Sequence, residues 1–447
     1  MKSTRRSFVL GSAAATFGLS LAGRGDRARA VAPSDRIGLG VIGCNGMGFT
    51  DLGSMLRVPE ATCVALCDVD DRVLQRRATE VQESYGVRPR TYADYRALLD
   101  DAEVDAVIVA TPDHWHCLQT VHACEAGKDV YVEKPLANSV EECRVLVDAV
   151  RRHDRVVQVG QWQRSGRHWA EATDFVRSGG LGRVRTVRAW AYMGWMKSVP
   201  RRPDGPPPPG VDYDMWLGPA PRRDFNPNRF HFNFRWYWDY AGGLMTDWGV
   251  HLLDVVLWGM NAGYPRRIVS SGGKFAYPDS AMETPDTQQA IYEFEGFSMV
   301  WEHAVGIGLG PFQRDHGVAF VGNNGTLVVD RGGWEVLPES EHVDGERRER
   351  MEGRRRQIVA LDQRGLDQHT KDFVDCVRSR SRPRCDVETA ARVAATAHLG
   401  NVALRTGDAL EWSEARGRFV GHSEANRYLA PTYRKPWKLP ETLGKAG

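Results

Sequence analysis

The chain has 447 residues, of which 42% are hydrophobic and 26% charged, enough for two domains with cores of their own. Its formal charge of +2 comes from the first thirty residues, where Lys2, Arg5, Arg6, Arg24, Arg27 and Arg29 oppose one acid, Asp26; without them the remainder carries −3. A mildly acidic body argues against nucleic-acid binding or a polybasic membrane-surface role.

The start reads Thr4-Arg5-Arg6-Ser7-Phe8-Val9, then an apolar run from Val9 to Ala22, then Ala28-Arg29-Ala30. This is the pattern of a twin-arginine (Tat) signal peptide over residues 1–30, implying export to the periplasm, and the apolar run is short for a membrane span. Residues 31–157 and 158–447 form the two predicted domains. No membrane partner is expected after signal cleavage.

Arg36 to Ile42 is a short apolar run suited to a buried parallel strand, and it leads into Gly43-Cys44-Asn45-Gly46-Met47-Gly48. A dinucleotide turn needs glycine for the tight bend, for backbone approach to the pyrophosphate and for helix packing. Gly43 and Gly48 suit the first and third roles. Asn45 replaces the middle glycine, with Gly46 beside it. A second strand, Thr62 to Cys67, ends at Asp68, twenty residues after Gly48. A carboxylate there accepts from the ribose hydroxyls and repels a 2′-phosphate, so NAD is expected rather than NADP. A third strand, Val104 to Ala110, ends in Thr111-Pro112-Asp113-His114-Trp115-His116, where polar groups cluster. Gln119 to Gly127 reads as a helix closed by glycine. Asp129 to Val132 reads as a strand ending at Glu133-Lys134-Pro135. This alternation predicts a parallel α/β sheet of Rossmann type.

The later half reads differently. Thr287 to Ala304 and Val318 to Val336 are strand-like with glycine turns, Val387 to Leu404 is a helix closed by Gly407, and Pro200 to Gly210 is an irregular loop. Of eight cysteines, Cys44, Cys63, Cys67, Cys117, Cys124 and Cys143 lie early inside strand or helix patterns. With no C-x-x-C spacing they read as free buried thiols, and no metal is expected.

From Glu133-Lys134-Pro135 onward the chain resembles the glucose–fructose oxidoreductase / inositol dehydrogenase (Gfo/Idh/MocA) family. The glycine turn, Asp68, the Thr-Pro-Asp-x-x-His segment and the tripeptide occur in that family's order. The resemblance continues through Gly242-Gly243-Leu244-Met245-Thr246-Asp247-Trp248-Gly249-Val250-His251, through Gly322 to Asp330, and to Tyr433-Arg434-Lys435-Pro436-Trp437. It implies a Rossmann domain followed by an α+β domain on a large, mostly antiparallel open sheet. It also implies a homo-oligomer, dimer or tetramer, and oxidation of a hydroxyl on a sugar or polyol.

Asp247 and His251 are four apart, which puts them on one face of a helix. With Lys134 they complete the family's Lys plus Asp-x-x-x-His pattern. His251 is expected as general acid/base, because an unperturbed imidazole titrates near working pH. Lys134 would bond the reacting oxygen and Asp247 would orient the substrate; the sequence is equally consistent with the Lys134 and His251 roles exchanged. The family motif places His116 and Glu133, with Thr111 and Pro112, at the nicotinamide, and Arg164 is expected to reach nicotinamide or substrate. His114 and, from the aromatic run Phe230 to Tyr240, Arg235 and Asp239 are candidate substrate contacts; a purely aromatic core is the other reading of that run. Because Tat carries folded proteins, the NAD is expected to travel with the protein, tightly bound. Two other functions fit the sequence: an NAD-dependent glycoside hydrolase of the same family, and a non-catalytic sugar-binding protein.

Overall fold

The structure is a computed structural model that describes residues 36–441; the twin-arginine segment lies outside the described residues. Six parallel strands, β1 (Ile37–Ile42), β2 (Ala61–Cys67), β3 (Arg90–Tyr92), β4 (Ala106–Val109), β5 (Asp129–Val132) and β6 (Val157–Val159), lie in the order β3-β2-β1-β4-β5-β6. All of β1, β4, β5 and β6 is buried, as expected for strands covered on both faces. The covering helices are α1 (Met47–Met55), α2 (Asp71–Tyr85), α3 (Tyr95–Leu99), α4 (Asp113–Glu125) and α5 (Val140–His153). Local chemistry sets their ends. The Asp70 side chain accepts from Arg72 N, Gly86 closes α2 at φ 71°, and Ser139 with Glu142 forms a capping box on α5.

Helix α4 differs from its sequence expectation. It begins at Asp113, not Gln119, because Pro112 stands at its N-cap, where the missing N–H costs nothing and φ is already helical. Asp113, His114 and His116 therefore sit in or near a helical first turn at the switch point between β1 and β4, where ligands of open α/β sheets bind.

The second domain contains α6 (Arg167–Arg177), β7 (Val184–Met193), α7 (Tyr213–Leu217), α8 (Gly243–Asp247), α9 (Gly249–Met260) and the strands β8 (Arg267–Gly273), β9 (Thr287–Glu293), β10 (Ser298–Val305), β11 (His316–Gly322), β12 (Gly325–Asp330) and β13 (Gly333–Pro338). A small hairpin, β14 (Ser340–Val343) and β15 (Glu346–Glu349), precedes α10 (Leu366–Ser379), α11 (Val387–Thr406), β16 (Leu410–Ser413) and β17 (Arg418–Phe419). Nine strands form one sheet, β13-β12-β11-β7-β10-β9-β8-β16-β17, antiparallel except where β10 runs parallel to β7. Helices α6, α9 and α11 cover one face; Val269 and Ile291 are exposed on strands β8 and β9. The predicted helix from Val387 is α11, and Gly407 closes it at φ 73°.

Helices α10 and α11 return to the first domain. Phe373 and Val374 of α10 join the core formed by Leu52 and Met55, while Cys385, Val387 and Ala390 join that of Val130 and Val157. The irregular loop expected at Pro200–Gly210 is irregular, and its end is pinned to the first domain: Asp71 N donates to Gly210 O at 2.9 Å and Asp212 N to Val69 O at 2.9 Å. All eight cysteines are free and buried.

Candidate active site

A cavity of about 360 Å³ runs along the carboxyl ends of β1, β2, β4 and β5 and is closed from the other side by residues of the second domain. Gly43, Asn45, Gly46, Met47 and Asp68 line one end; Thr111, Pro112, His116, Glu133, Lys134, Arg235 and Asp247 line the rest.

The glycines divide the labour of the turn. Gly43 has φ +89°, and a Cβ on it would stand 2.7 Å from Ala110 O. A Cβ on Gly48 would stand 2.1 Å from Gly43 O, so this glycine lets α1 pack on the turn. Gly46, at the N-cap of α1, has φ +52° and open space around it. The close-approach role expected at the middle of the motif thus falls to Gly46 rather than to Asn45, whose side chain faces Arg76 and Arg77. The cradle fits a pyrophosphate at a helix N-terminus. Asp68 does not cap α2; Asp70 does. Instead both Asp68 oxygens accept backbone N–H groups, from Cys44 at 2.9 Å and Asp70 at 3.0 Å, which aims the carboxylate at the cavity.

At the other end Lys134 Nζ donates to Asp247 Oδ1 at 2.7 Å and to Asp247 O at 3.0 Å. Arg235 pairs with Asp247 Oδ2 at 2.5 Å, and its guanidinium lies over the Phe232 ring. Burial opposes ionisation of Asp247, but Arg235 and Lys134 together hold its carboxyl far below the usual range. His116 ties this end together: Nδ1 meets Pro135 O at 2.6 Å and Nε2 meets Thr111 O at 2.8 Å. Glu133 Oε2 accepts from Lys134 N, and burial raises its carboxyl to about 7.

Asp113 is a site residue that the sequence motifs do not single out. It lines the cavity as the first residue of α4, and burial raises its carboxyl to about 8 against the pull of Lys134. Its signal was the preceding Pro112, which starts a helix as well as ending a strand. The aromatic run divides: Phe232 and Phe234 line the cavity, whereas Trp236, Tyr237 and Tyr240 are buried core.

Four expectations need correction. Arg164 does not reach the cavity; its Nε and Nη2 grip both oxygens of the fully buried Asp254 at 2.7–2.9 Å, so the charge is spent structurally. Asp239 pairs with Arg223 at 2.6 Å, away from the cavity. His114 is buried behind it, with Nε2 on Trp216 O at 3.0 Å and its pKa pushed down to about 4 by burial. His251 lies one turn beyond Asp247, across a break between α8 and α9 at Trp248, and packs against Trp162 and Trp248 rather than lining the cavity. Burial, then the charges of Lys134 and Arg331, push its pKa well below the ordinary imidazole value. It is therefore neutral at working pH, and an argument from an unperturbed pKa does not apply to it.

A Rossmann domain whose cleft is closed by an ion-paired lysine from one domain and an aspartate from the other defines a two-domain dinucleotide-binding oxidoreductase. Residues 37–161 match the oxidoreductase family's NAD-binding Rossmann fold, and residues 184–269 with 351–439 match its C-terminal alpha/beta domain. The chain belongs to the Gfo/Idh/MocA oxidoreductase family. Glycosyl hydrolase family 109 protein 1 of Shewanella sp. (strain ANA-3) is 30% identical over 201 residues, which is 40% of this chain and 44% of that protein. The chain thus spans less than half the length of this curated relative. Among solved structures, aldose-aldose oxidoreductase from Caulobacter crescentus superposes with TM-score 0.63 at 18% identity, covering 84% of this chain and 100% of that one. Myo-inositol 2-dehydrogenase from Lactobacillus plantarum does so with TM-score 0.63 at 17% identity, covering 85% and 100%. At these identities the likeness is one of fold.

Proposed function

We propose that the protein oxidises a CH–OH group of a sugar, sugar derivative or polyol, using a tightly held NAD. The observation that carries this reading is the Lys134–Asp247–Arg235 cluster at one end of a cleft whose other end is the glycine cradle and Asp68. When bound, the nicotinamide takes or returns the hydride. The protein's task is position and proton transfer. A lysine ammonium has three donors; Lys134 gives N–H to two Asp247 oxygens and keeps one for the reacting oxygen. We therefore assign Lys134 the proton exchange with that oxygen, as ammonium when it donates and as amine when it accepts. Asp247, ionised throughout, accepts from a neighbouring hydroxyl. Asp113, protonated below about pH 8, donates to another. His251, packed against Trp162 and Trp248 one turn from Asp247, takes no proton-transfer step in this reading.

Asp68 favours NAD by repelling a 2′-phosphate. The backbone bonds that tie Gly210 and Asp212 to Asp71 and Val69 fasten the second domain beside Asp68, which supports retention of the cofactor. Export through the twin-arginine route, loaded with NAD, belongs to the same proposal. So does a homo-oligomer built on the sheet face that carries Val269 and Ile291. The test is to mix the as-purified protein with sugars and polyols and follow the absorbance of bound reduced nicotinamide. Absence of nucleotide in the purified protein, or of any response to the panel, counts against it.

A second reading, glycoside hydrolysis by oxidation, elimination and re-reduction on bound NAD, is favoured by the glycosyl hydrolase family 109 relatives. Release of aglycone from aryl glycosides without accumulation of reduced nucleotide would select it. A non-catalytic sugar binder has no use for Lys134, and unchanged turnover in Lys134→Ala would point there.

A further inference from the structure

Beside the catalytic end lies a positive charge that the reaction does not require. Arg331 stands in the turn between β12 and β13, and its guanidinium lies over the Trp162 ring at 4.6 Å and the Trp248 ring at 4.4 Å. The same two indoles pack on His251, one turn from Asp247. Arg331 Nε is buried with no acceptor, and no carboxylate stands within ion-pair distance of the side chain among the described residues. Arg364, close behind, also has a buried Nε without an acceptor and no ion pair. Burial brings the Arg331 pKa down to about 10, against the pull of Asp247 and with the like charge of Arg364.

Among the described residues, Arg77, Arg229 and Arg356 also have a buried Nε without an acceptor, but each has a carboxylate elsewhere on its guanidinium, and Arg314 has both Asp330 and Glu335. Arg164 has Asp254 on two sides. The carboxyls near Arg331 are already engaged. Asp247 is shared by Lys134 and Arg235, and Asp315 is bonded to His316. Two half-buried arginines side by side, with no carboxylate in direct contact, leave room for an added anion.

We infer that Arg331, with Arg364 behind it, is a subsite for the carboxylate of an acidic sugar, held so that its oxidised carbon lies at Lys134. This rests on the oxidoreductase reading above and adds the substrate class: a uronate or aldonate rather than a neutral sugar. The planar guanidinium, held over the indoles of Trp162 and Trp248, offers an N–H edge that a carboxylate fills with two parallel bonds.

The experiment is equilibrium binding to the as-purified protein by calorimetry, with matched sugars that differ only at one carbon: glucuronate against glucose, and galacturonate against galactose. The expected result is a preference for the acid of about ten-fold or more, as charge-assisted bonds give, weakening as salt is raised. Arg331→Gln should bring the acid-to-neutral ratio close to one, and Arg331→Lys should keep part of it; circular dichroism reports whether each variant is folded. Equal binding of acid and neutral sugars, no binding of either acid, or a preference untouched by Arg331→Gln in a folded variant each overturns the inference. Neutral sugars that reduce the bound nucleotide while the acids fail to bind would remove this subsite alone. Acids that bind at Arg331 without any nucleotide reduction would remove the oxidoreductase reading and leave the subsite.

Discussion

Asp51 of α1 and Glu133 after β5 face one another in the interior, and three of their four carboxyl oxygens, both of Asp51 and Oε1 of Glu133, meet no N–H or O–H donor. Two buried carboxylates in contact repel, so the arrangement calls for one proton held between them. Burial raises both groups, Glu133 from 4.5 to about 7 and Asp51 well above its ordinary value.

A pH dependence of stability follows from that pair. An unfolded chain releases these protons near ordinary carboxyl values, whereas the folded chain keeps them to higher pH. The folded state therefore binds more protons between about 4.5 and 7, and stability falls as pH rises through that window. Asp51→Asn supplies an amide donor to Glu133 and removes the need for the shared proton. Melting temperatures across the window should decline by on the order of 2–4 °C in the wild type and less steeply in Asp51→Asn, where buried Asp113 and Glu142 still contribute. A wild-type curve that rises with pH would contradict the shared proton.

Lys134→Ala should lower turnover of the bound nucleotide by roughly 10²–10⁴-fold, the usual loss for a proton-transfer group, with sugar binding reduced far less. Lys134→Arg should not restore the rate, because a guanidinium does not release its proton. Single-turnover absorbance measurements on the loaded protein distinguish this from a binding defect.

Removing the Asp68 carboxylate tests cofactor choice. Asp68→Asn keeps one acceptor oxygen, enough for one of the two backbone donors Cys44 N and Asp70 N, and removes the charge that opposes a 2′-phosphate. NAD affinity should weaken by about ten-fold, one charge-assisted bond, and discrimination against NADP should shrink. Fluorescence titration of protein stripped of nucleotide gives both constants; unchanged discrimination would move specificity elsewhere.

Arg164 makes a structural prediction where a cofactor contact was expected. Arg164→Met leaves the fully buried Asp254 without its partner, a change that costs about 3–5 kcal/mol. The denaturant midpoint should fall accordingly while the nucleotide affinity of the folded protein stays the same. A selective loss of nucleotide binding with stability intact would restore the binding role.

The exposed face of the nine-stranded sheet gives the last prediction. Ile291 is 45% exposed on β9, and Ile291→Asp should shift the protein towards monomer in light scattering if that face joins subunits. An unchanged mass would exclude Ile291 from the contact.

What the sequence by itself determined is what depends on neighbours in the chain. Glycines at Gly43, Gly46 and Gly48 announce a phosphate turn, apolar runs of four to six residues announce buried strands, and Gly407 ends α11, because backbone conformation and burial periodicity are local properties. Family motifs likewise picked out Lys134, Asp247 and Asp68, which the fold brings to one cleft. Tertiary structure alone decided which charges remain free to act. Arg164 finds Asp254 ninety residues away, Asp51 finds Glu133 across the sheet, and Arg331 finds two tryptophans but no carboxylate. His251 loses its ordinary pKa only because the fold buries it among cations. A charged side chain looks the same in sequence whether it is paired, buried or waiting for a ligand; the difference lies in the field of distant residues, and only packing sets that field.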